Sequence, residues 1–141
     1  MTKYLILLAG REGEWNDADP ADRERWHQEH ITFGREVGSA ILGGEALDSA
    51  DTATTLRRRS GTAELTDGPF AETAEHLGGF YLVEADNLDQ VVKWCELLPE
   101  IYSIEIRPCI QIEGLDDPTP RSSAPPLRSS ADTSRGPRTS E

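Results

Sequence analysis

The spacing of apolar residues at the start of the chain predicts a strand followed by a helix. Residues 3–9 (KYLILLA) form a short apolar run, which is typical of a buried strand. Asp19 and Pro20 indicate a helix start, because Asp caps free N–H groups and proline has no N–H to leave unpaired. We expect this helix to span about residues 20–37 and to end at Gly38.

One face of that helix is apolar and contains a histidine. Trp26, His30, Phe33 and Val37 follow one another at spacings of four, three and four residues. Residues at these spacings lie on one side of a helix. We therefore expect this stripe, with His30 in it, to face the sheet.

Short apolar runs and turn residues alternate in the rest of the first 113 residues. Gly43-Gly44 indicates a bulge or a close approach by a ligand or another backbone. Asn87 and Gln90 form a capping box that begins a second helix. The predicted elements are a strand at 40–47, a hairpin of strands 53–59 and 62–66, a turn at 67–70, one helical turn at 71–77, a strand at 79–85, a helix at 88–98 and a strand at 102–112, with Pro108 indicating an edge or a bulge in the last strand.

The order of these elements predicts an α+β domain with a ferredoxin-like βαββαβ fold and an added hairpin strand. Two helices can cover only one face of such a sheet. A second subunit is the simplest cover for the other face. We therefore expect a homodimer whose sheets pack face to face.

The last 28 residues, 114–141, differ in composition from the rest. They are rich in Pro, Ser, Thr and Arg, and their only large aliphatic residues are Leu115 and Leu127. Such a segment cannot bury enough apolar surface to offset the entropy lost on ordering. We expect one domain at residues 1–113 and a disordered tail at residues 114–141.

The chain is strongly acidic, with a formal net charge of −12 at pH 7. The tail has equal numbers of arginines and acids, so the excess of acid lies in the predicted domain. A domain this acidic repels nucleic-acid phosphates and anionic membranes, and we expect neither as a partner. The run Arg57-Arg58-Arg59 is a local exception, which we interpret as a charged strand edge that prevents aggregation.

No targeting segment is visible in the sequence. The apolar residues 5–9 are too few for a signal-peptide core, and no stretch approaches the roughly 20 apolar residues that cross a bilayer. Cys95 and Cys109 lack metal-ligand spacing and fall in predicted regular structure, so we interpret both as reduced core thiols. Together these features predict a cytoplasmic protein.

Several segments carry a family resemblance. Residues 66–73 read TDGPFAET and residues 77–82 read LGGFYL, with shorter matches at residues 43–47 (GGEAL) and 105–108 (EIRP). Over about residues 3–112 the chain resembles the YCII-like proteins called DGPF proteins. The resemblance implies the dimeric α+β barrel fold, a superfamily that includes cofactor-free isomerases, lyases and monooxygenases as well as haem enzymes.

The resemblance implies two kinds of function. Some YCII-like relatives are thought to use a His–Asp pair, and one is a dehydrochlorinase of a chlorinated aromatic compound. Many bacterial DGPF proteins are encoded near extracytoplasmic-function sigma factors, which implies a regulatory role instead. This chain departs from the usual pattern after Glu72, because Ala74 stands where the family commonly has a lysine that could serve a ligand carboxylate.

His30 is the main candidate for acid–base chemistry. Burial or a nearby carboxylate can move the pKa of such a histidine, as proton transfer near neutral pH requires. Asp67 is its predicted catalytic partner and would orient the ring. Both residues also have structural interpretations, since His30 can be a core histidine with one hydrogen bond. Asp67, first in the DGPF turn, can accept local backbone N–H bonds.

Five further residues are candidates for substrate binding: Trp15, Glu45, Phe70, Glu72 and Arg107. The two aromatics lie in predicted loops, where they can line an apolar pocket or pack locally. The glutamates lie near the DGPF turn and the Gly-Gly strand, although most glutamates are simply solvated. Arg107 either forms a salt bridge with Glu105 or holds a ligand carboxylate or enolate.

The histidines are not at metal-ligand spacing, and we expect His27 and His76 to face solvent. No metal or cofactor is expected. Two functions remain open. In the first, the protein is a cofactor-independent lyase or isomerase that acts on a small aromatic or enolisable organic molecule; His30 moves the proton, Asp67 orients it and Arg107 stabilises negative charge. In the second, it is a non-catalytic ligand- or partner-binding domain linked to an extracytoplasmic-function sigma factor.

Overall fold

A computed structural model describes residues 1–71 and 73–115 of the chain. Strands and helices follow one another in the predicted order. They are β1 (Thr2–Gly10), α1 (Pro20–Val37), β2 (Ile41–Ala46), β3 (Thr54–Arg59), β4 (Thr62–Asp67), β5 (His76–Ala85), α2 (Leu88–Cys95) and β6 (Ser103–Pro108). Residues 116–141, where we predict a disordered tail, lie outside the described residues.

The main sheet has four antiparallel strands in the order β2-β5-β1-β6. This order, with the two helices as crossovers, is the ferredoxin-like α+β fold that the sequence predicts. Strands β3 and β4 pair with each other in a separate two-stranded sheet, which is the predicted hairpin. Strand β6 is an edge strand, as Pro108 indicated.

The hydrophobic core lies between one face of the sheet and the two helices. Alternate residues of β1, namely Tyr4, Ile6 and Leu8, are buried on this face. Phe33 of α1 and Val91 of α2 are fully buried against it. Burial of a side chain of this kind stabilises the fold by about 1.5–3 kcal/mol relative to leaving it in water.

Both helices begin where the sequence predicts, and they differ in how they are capped. Helix α1 begins at Pro20 and ends before Gly38, as predicted, but the Asp19 side chain makes no capping hydrogen bond. Its backbone carbonyl instead accepts from the N–H groups of Asp22 and Arg23, at 3.0 Å each. In α2, Asn87 Oδ1 accepts from the Gln90 N–H at 3.0 Å, as the capping box predicts.

Three predictions about the extent of elements are wrong. Where a helical turn was predicted at 71–77, the described residues 73–75 are not helical, and β5 already begins at His76, which pairs with Gly10 of β1. The last strand ends at Pro108 rather than at residue 112, although the Cys109 N–H still donates to the Lys3 carbonyl oxygen at 2.8 Å. Helix α2 ends at Cys95, and the chain continues to Leu98 as a turn.

The two cysteines differ in their surroundings, although both are free thiols. Cys95 is buried in the core, and burial raises its pKa to about 11, so it is held as an unreactive thiol. Cys109 is exposed, which corrects the prediction that both are core residues. The strand that was expected to bury Cys109 ends one residue before it.

Candidate functional site

An open cavity of about 720 Å³ lies at one end of the main sheet. Its walls come from the ends of β1 and β2, the start of β5, helix α1, the loop before α1 and the turn before β6. The lining residues that bear on chemistry are Trp15, His27, His30, Glu45, Tyr81 and Tyr102. The cavity therefore combines apolar and aromatic surface with a few polar groups, as small-molecule sites do.

His30 is held in this wall by two tyrosine hydroxyl groups. Its Nδ1 lies 2.8 Å from the Tyr81 hydroxyl oxygen, and its Nε2 lies 3.0 Å from the Tyr102 hydroxyl oxygen. The stripe that buries Phe33 turns the imidazole towards the sheet, as predicted. Phe33 also packs on the Tyr81 ring with centroids 4.6 Å apart, which restricts that tyrosine.

The two hydrogen bonds of the neutral His30 ring run in a defined donor-to-acceptor direction. In a neutral imidazole one nitrogen carries the proton and the other accepts one. One tyrosine therefore donates its O–H to the ring, while the other accepts a ring N–H and keeps its own O–H proton for another acceptor. A change of tautomer exchanges these roles, so the Tyr81–His30–Tyr102 chain can donate a proton at one end and accept one at the other.

Burial keeps all three groups uncharged near neutral pH. It is the larger cause that lowers the pKa of His30 below 6.5, and the charge of nearby His27 lowers it further. Burial also raises the pKa of Tyr81, and burial together with Tyr81 raises the pKa of Tyr102 to about 12. At neutral pH the two tyrosines are therefore protonated phenols, and His30 is a neutral imidazole.

The Gly-Gly pair of β2 explains how Tyr81 is placed. The ladder between β2 and β5 shifts between Ile41 and Gly43, which is one of the two outcomes predicted for this pair. A Cβ atom on Gly44 would lie 2.7 Å from the Phe80 carbonyl oxygen and 2.9 Å from Tyr81 Cδ1. Gly44 thus lets β2 approach Tyr81 closely.

Two predicted binding residues line the cavity. Trp15 is half-buried in the loop before α1 and packs on Trp26, with ring centroids 5.4 Å apart. Glu45 lines the cavity from β2 with an exposed side chain. His27 and His76 line it as well, although we expected both to face solvent; His27 is exposed and His76 is half-buried.

Other predicted site residues lie elsewhere. Asp67 ends β4 and is exposed, and the hydrogen bonds of His30 go to tyrosines, so the predicted His30–Asp67 pair is not formed. Phe70 is 76% exposed and lies outside the cavity lining. Glu72 lies outside the described residues. Asp67 pairs with Thr54 at the base of the hairpin and is not among the residues that line the cavity.

Arg107 forms the predicted salt bridge with Glu105, with Nε and Oε2 2.6 Å apart. The hydrogen bond and the charge of Glu105 raise the pKa of Arg107, and both side chains are more than half exposed. Register pairs Arg107 with Leu5, which places it on the sheet face opposite the core. It does not line the cavity, so the salt bridge is the interpretation that the geometry supports.

The sequence reasoning missed Tyr81 and Tyr102. Tyr81 lies on the same face of β5 as Val83 and Ala85, which are buried in the core. Its hydroxyl group therefore needs a polar hydrogen-bond partner on the helix side of the sheet. His30 was the polar group expected to point into that same layer. Pairing inward-facing polar residues across layers would have found this contact.

Charged side chains around the cavity are mostly acidic. Four carboxylates line it, from Glu12, Glu14, Glu45 and Asp48, together with the cation of Arg11. In the described residues no group of His, Cys, Asp and Glu is arranged to hold a metal ion. Among the described helices, neither combines the length and the apolar character that crossing a membrane requires.

Fold and site together define a small α+β domain of ferredoxin-like topology with a half-buried His–Tyr cluster in the wall of an open cavity. Residues 2–112 match the family model of the YCII-related domain. A protein of Rhizobium meliloti (strain 1021), described only as uncharacterized, is 43% identical over 111 residues, which cover 74% of this chain and 90% of that protein. The chain therefore belongs to the YCII-related family, as the DGPF segment indicated.

Proposed function

We propose that this protein is a cofactor-independent acid–base enzyme of the lyase or isomerase type, acting on a small aromatic or enolisable molecule. The observation that carries the proposal is the Tyr81–His30–Tyr102 chain in the wall of the cavity. A group that moves protons near neutral pH must be reachable by a substrate and must change protonation easily. His30 lines the cavity, and its lowered pKa leaves it neutral, so that one ring nitrogen can accept a proton while the other gives one up.

The three hydrogen-bonded side chains Tyr81, His30 and Tyr102 can move a proton from a substrate carbon to a substrate oxygen without forming a charged intermediate. One tyrosine oxygen takes a proton from the substrate carbon while passing its own proton to a His30 nitrogen. The other His30 nitrogen gives its proton to the second tyrosine, whose O–H proton goes to the substrate carbonyl oxygen. The C–H bond breaks, an enol O–H bond forms, and His30 is left in its other tautomer.

The tyrosine pKa values suit a relay of this kind. Because burial raises the pKa of both hydroxyl groups, a free phenolate is unfavourable, and each tyrosine loses one proton only as it gains another. Burial likewise disfavours the imidazolium of His30. Reversal of the relay returns a proton to carbon and restores the first tautomer, which completes one cycle of exchange.

The charges at the cavity favour an uncharged ligand over an anion. Four carboxylates against one arginine repel a substrate carboxylate, and Arg107, which could bind one, lies outside the cavity. Trp15 and the tyrosine rings offer aromatic surface. A neutral compound with an aromatic ring and an enolisable carbonyl fits this lining best.

A second function is supported by one feature of the same site. Both ring nitrogens of His30 already have partners, which is also how a structural histidine is satisfied. In that case the cavity would bind a ligand without turnover, as a regulatory domain linked to a sigma factor requires. Proton exchange distinguishes the two functions, because only the enzyme needs the relay.

The test is solvent exchange at the benzylic methylene of phenylacetone, followed by NMR in D2O. We expect the protein to accelerate deuterium incorporation above the buffer rate. His30→Gln, Tyr81→Phe and Tyr102→Phe each break the relay, and each should lower the protein-dependent rate about a hundredfold or more. Tyr4→Phe is the matched control, since Tyr4 is buried in the core and does not line the cavity.

Phenylpyruvate has the same benzylic methylene and carries a carboxylate, so it should exchange more slowly than phenylacetone when each is corrected for its buffer rate. Phenylacetone that shifts the His30 ring resonances without exchanging would support the binding domain instead. Exchange that survives His30→Gln would contradict the proposed enzyme.

A further inference from the structure

The β3–β4 hairpin, residues 54–67, projects as an arm with little cover. Its two strands hydrogen-bond to each other in a sheet of their own. Every residue of both strands is exposed except Thr55, which is half-buried. A two-stranded hairpin without a covered face is marginally stable in water. This hairpin arm therefore has surface that a partner would bury.

One face of the hairpin arm carries an exposed apolar pair. Leu56 lies directly opposite Leu65 in the register, and the two side chains are 57% and 69% exposed. Cross-strand pairs of this type stabilise a hairpin only modestly, by about 0.2–1 kcal/mol. Phe70, just beyond the hairpin arm, is 76% exposed. Leu56, Leu65 and Phe70 therefore expose apolar surface on and just beyond the hairpin arm.

The hairpin arm is also the basic part of an acidic protein. Arg57, Arg58 and Arg59 outnumber its two acids, Glu64 and Asp67, whereas the whole chain carries a net charge of −12. Among the described residues, the ion pairs are those of Arg25 with Asp22 and of Arg107 with Glu105, and none involves the arginine run. The charges of the hairpin arm are complementary to those of the rest of the domain.

The chain segments on either side of the hairpin arm line the cavity. Residues 47–50 before it and residues 76–79 after it both line the cavity. At the base, the Gly68 N–H donates to the Ala53 carbonyl oxygen at 2.7 Å, and Thr55 Oγ1 donates to the Gly68 carbonyl oxygen at 2.8 Å. Six-residue strands extend about 20 Å, so the tip lies well away from this base.

We infer that the hairpin arm docks on a second copy of this chain, with the Leu56–Leu65 pair against an apolar part of its surface and the arginine run beside its carboxylates. Charge selects this occupant. Every copy offers an excess of acid, nucleic-acid phosphates are repelled by the rest of the domain, and residues 116–141 have no net charge to complement the arginines. Docking would also hold the two cavity walls that lead into the hairpin arm.

The test is photo-cross-linking of the full chain with p-benzoylphenylalanine in place of Leu56. Natural-abundance and ¹⁵N-labelled chains are mixed before irradiation, and mass spectrometry distinguishes links between copies from links within one copy. We expect most Leu56 products to join two copies. The same probe in place of Leu88, which is 49% exposed on α2, is the matched control and should give few such products.

A charge variant tests the other half of the inference. Replacing Arg57, Arg58 and Arg59 with serine should lower the yield of inter-copy product severalfold, while Arg35→Ser on α1 should leave it unchanged. Raising the salt concentration should act in the same direction as the triple substitution. Products confined to one copy, including links to residues 116–141, or an inter-copy yield no higher than that of the Leu88 probe, would overturn the inference.

Discussion

At the scale of single residues, the site depends on the two tyrosines that hold His30. The helical spacing of Trp26, His30 and Phe33 was enough to predict that the histidine faces the sheet, because that spacing is a local property. Its partners were not predictable from local pattern, since Tyr81 and Tyr102 are 51 and 72 residues away along the chain. The family resemblance implied Asp67 as the partner of His30, but the hydrogen bonds of His30 go to the two tyrosines.

The first prediction concerns the pKa of His30. Burial and His27 both lower this pKa, so NMR titration of the ring protons should give a midpoint below 6.5, with His30→Gln assigning the resonance. His27→Gln should raise the midpoint of His30, because it removes the neighbouring charge that contributes to the lowered pKa. Tyr81 and Tyr102 are the neighbouring titratable groups, and their raised pKa values keep them neutral throughout. A midpoint above 6.5 would mean that the ring is not desolvated as described.

At the scale of elements, the sequence predicted what local chemistry controls. The bounds of α1 follow from Pro20 and Gly38, and the hairpin follows from Ser60 and Gly61, which adopt positive φ angles of 49° and 81°. The lengths of β5 and β6 depend instead on their pairing with β1. A local sequence pattern does not show which distant strand a segment pairs with. The start of β5 and the end of β6 were therefore predicted wrongly.

The second prediction uses the Gly-Gly pair of β2. Gly44→Ala should destabilise the fold by about 1–3 kcal/mol, because the new Cβ would overlap the Phe80 carbonyl and the Tyr81 ring. It should also slow the exchange reaction by displacing Tyr81. Gly43→Ala is the matched control, since nothing lies within 4 Å of its Cβ position. Urea unfolding measures both variants, and equal losses would contradict the close approach at Gly44.

The third prediction compares two helix caps. Asn87→Ala should lower the free energy of unfolding by about 1 kcal/mol, because it removes the side-chain oxygen that accepts from the Gln90 N–H. Asp19→Ala should cost less, because Asp19 caps α1 through its backbone carbonyl, which alanine retains. The two variants are compared by urea unfolding at one pH. A larger loss for Asp19→Ala would show that its carboxylate stabilises α1 after all.

At the scale of the whole molecule, the sheet face opposite the helices is only partly buried in the described part of the chain. Leu5, Leu7, Phe80 and Leu82 share this face, as their cross-strand pairing requires, and they are only partly buried. Glu105 and Arg107 lie on the same face opposite Leu7 and Leu5. An apolar centre with a polar rim is typical of a subunit interface. The homodimer expected from the sequence remains a prediction for this face.

The fourth prediction tests that dimer. Light scattering at micromolar concentration should give the mass of two chains, and Leu5→Glu should shift it towards one chain by placing a charge in the apolar centre. Leu88→Glu is the control, since Leu88 is exposed on α2. If the unaltered chain has the mass of a monomer, packing of the sheets face to face is excluded.

The pH dependence of deuterium exchange into phenylacetone tests the central claim most directly. If neutral His30 relays the proton, the rate should be constant above neutrality and should fall as the pH drops through the lowered pKa of His30. The midpoint of that fall should coincide with the NMR midpoint of His30, and His27→Gln should move both upward together. A protein-dependent rate that stays constant while His30 titrates, or that falls at a different pH, would contradict the account.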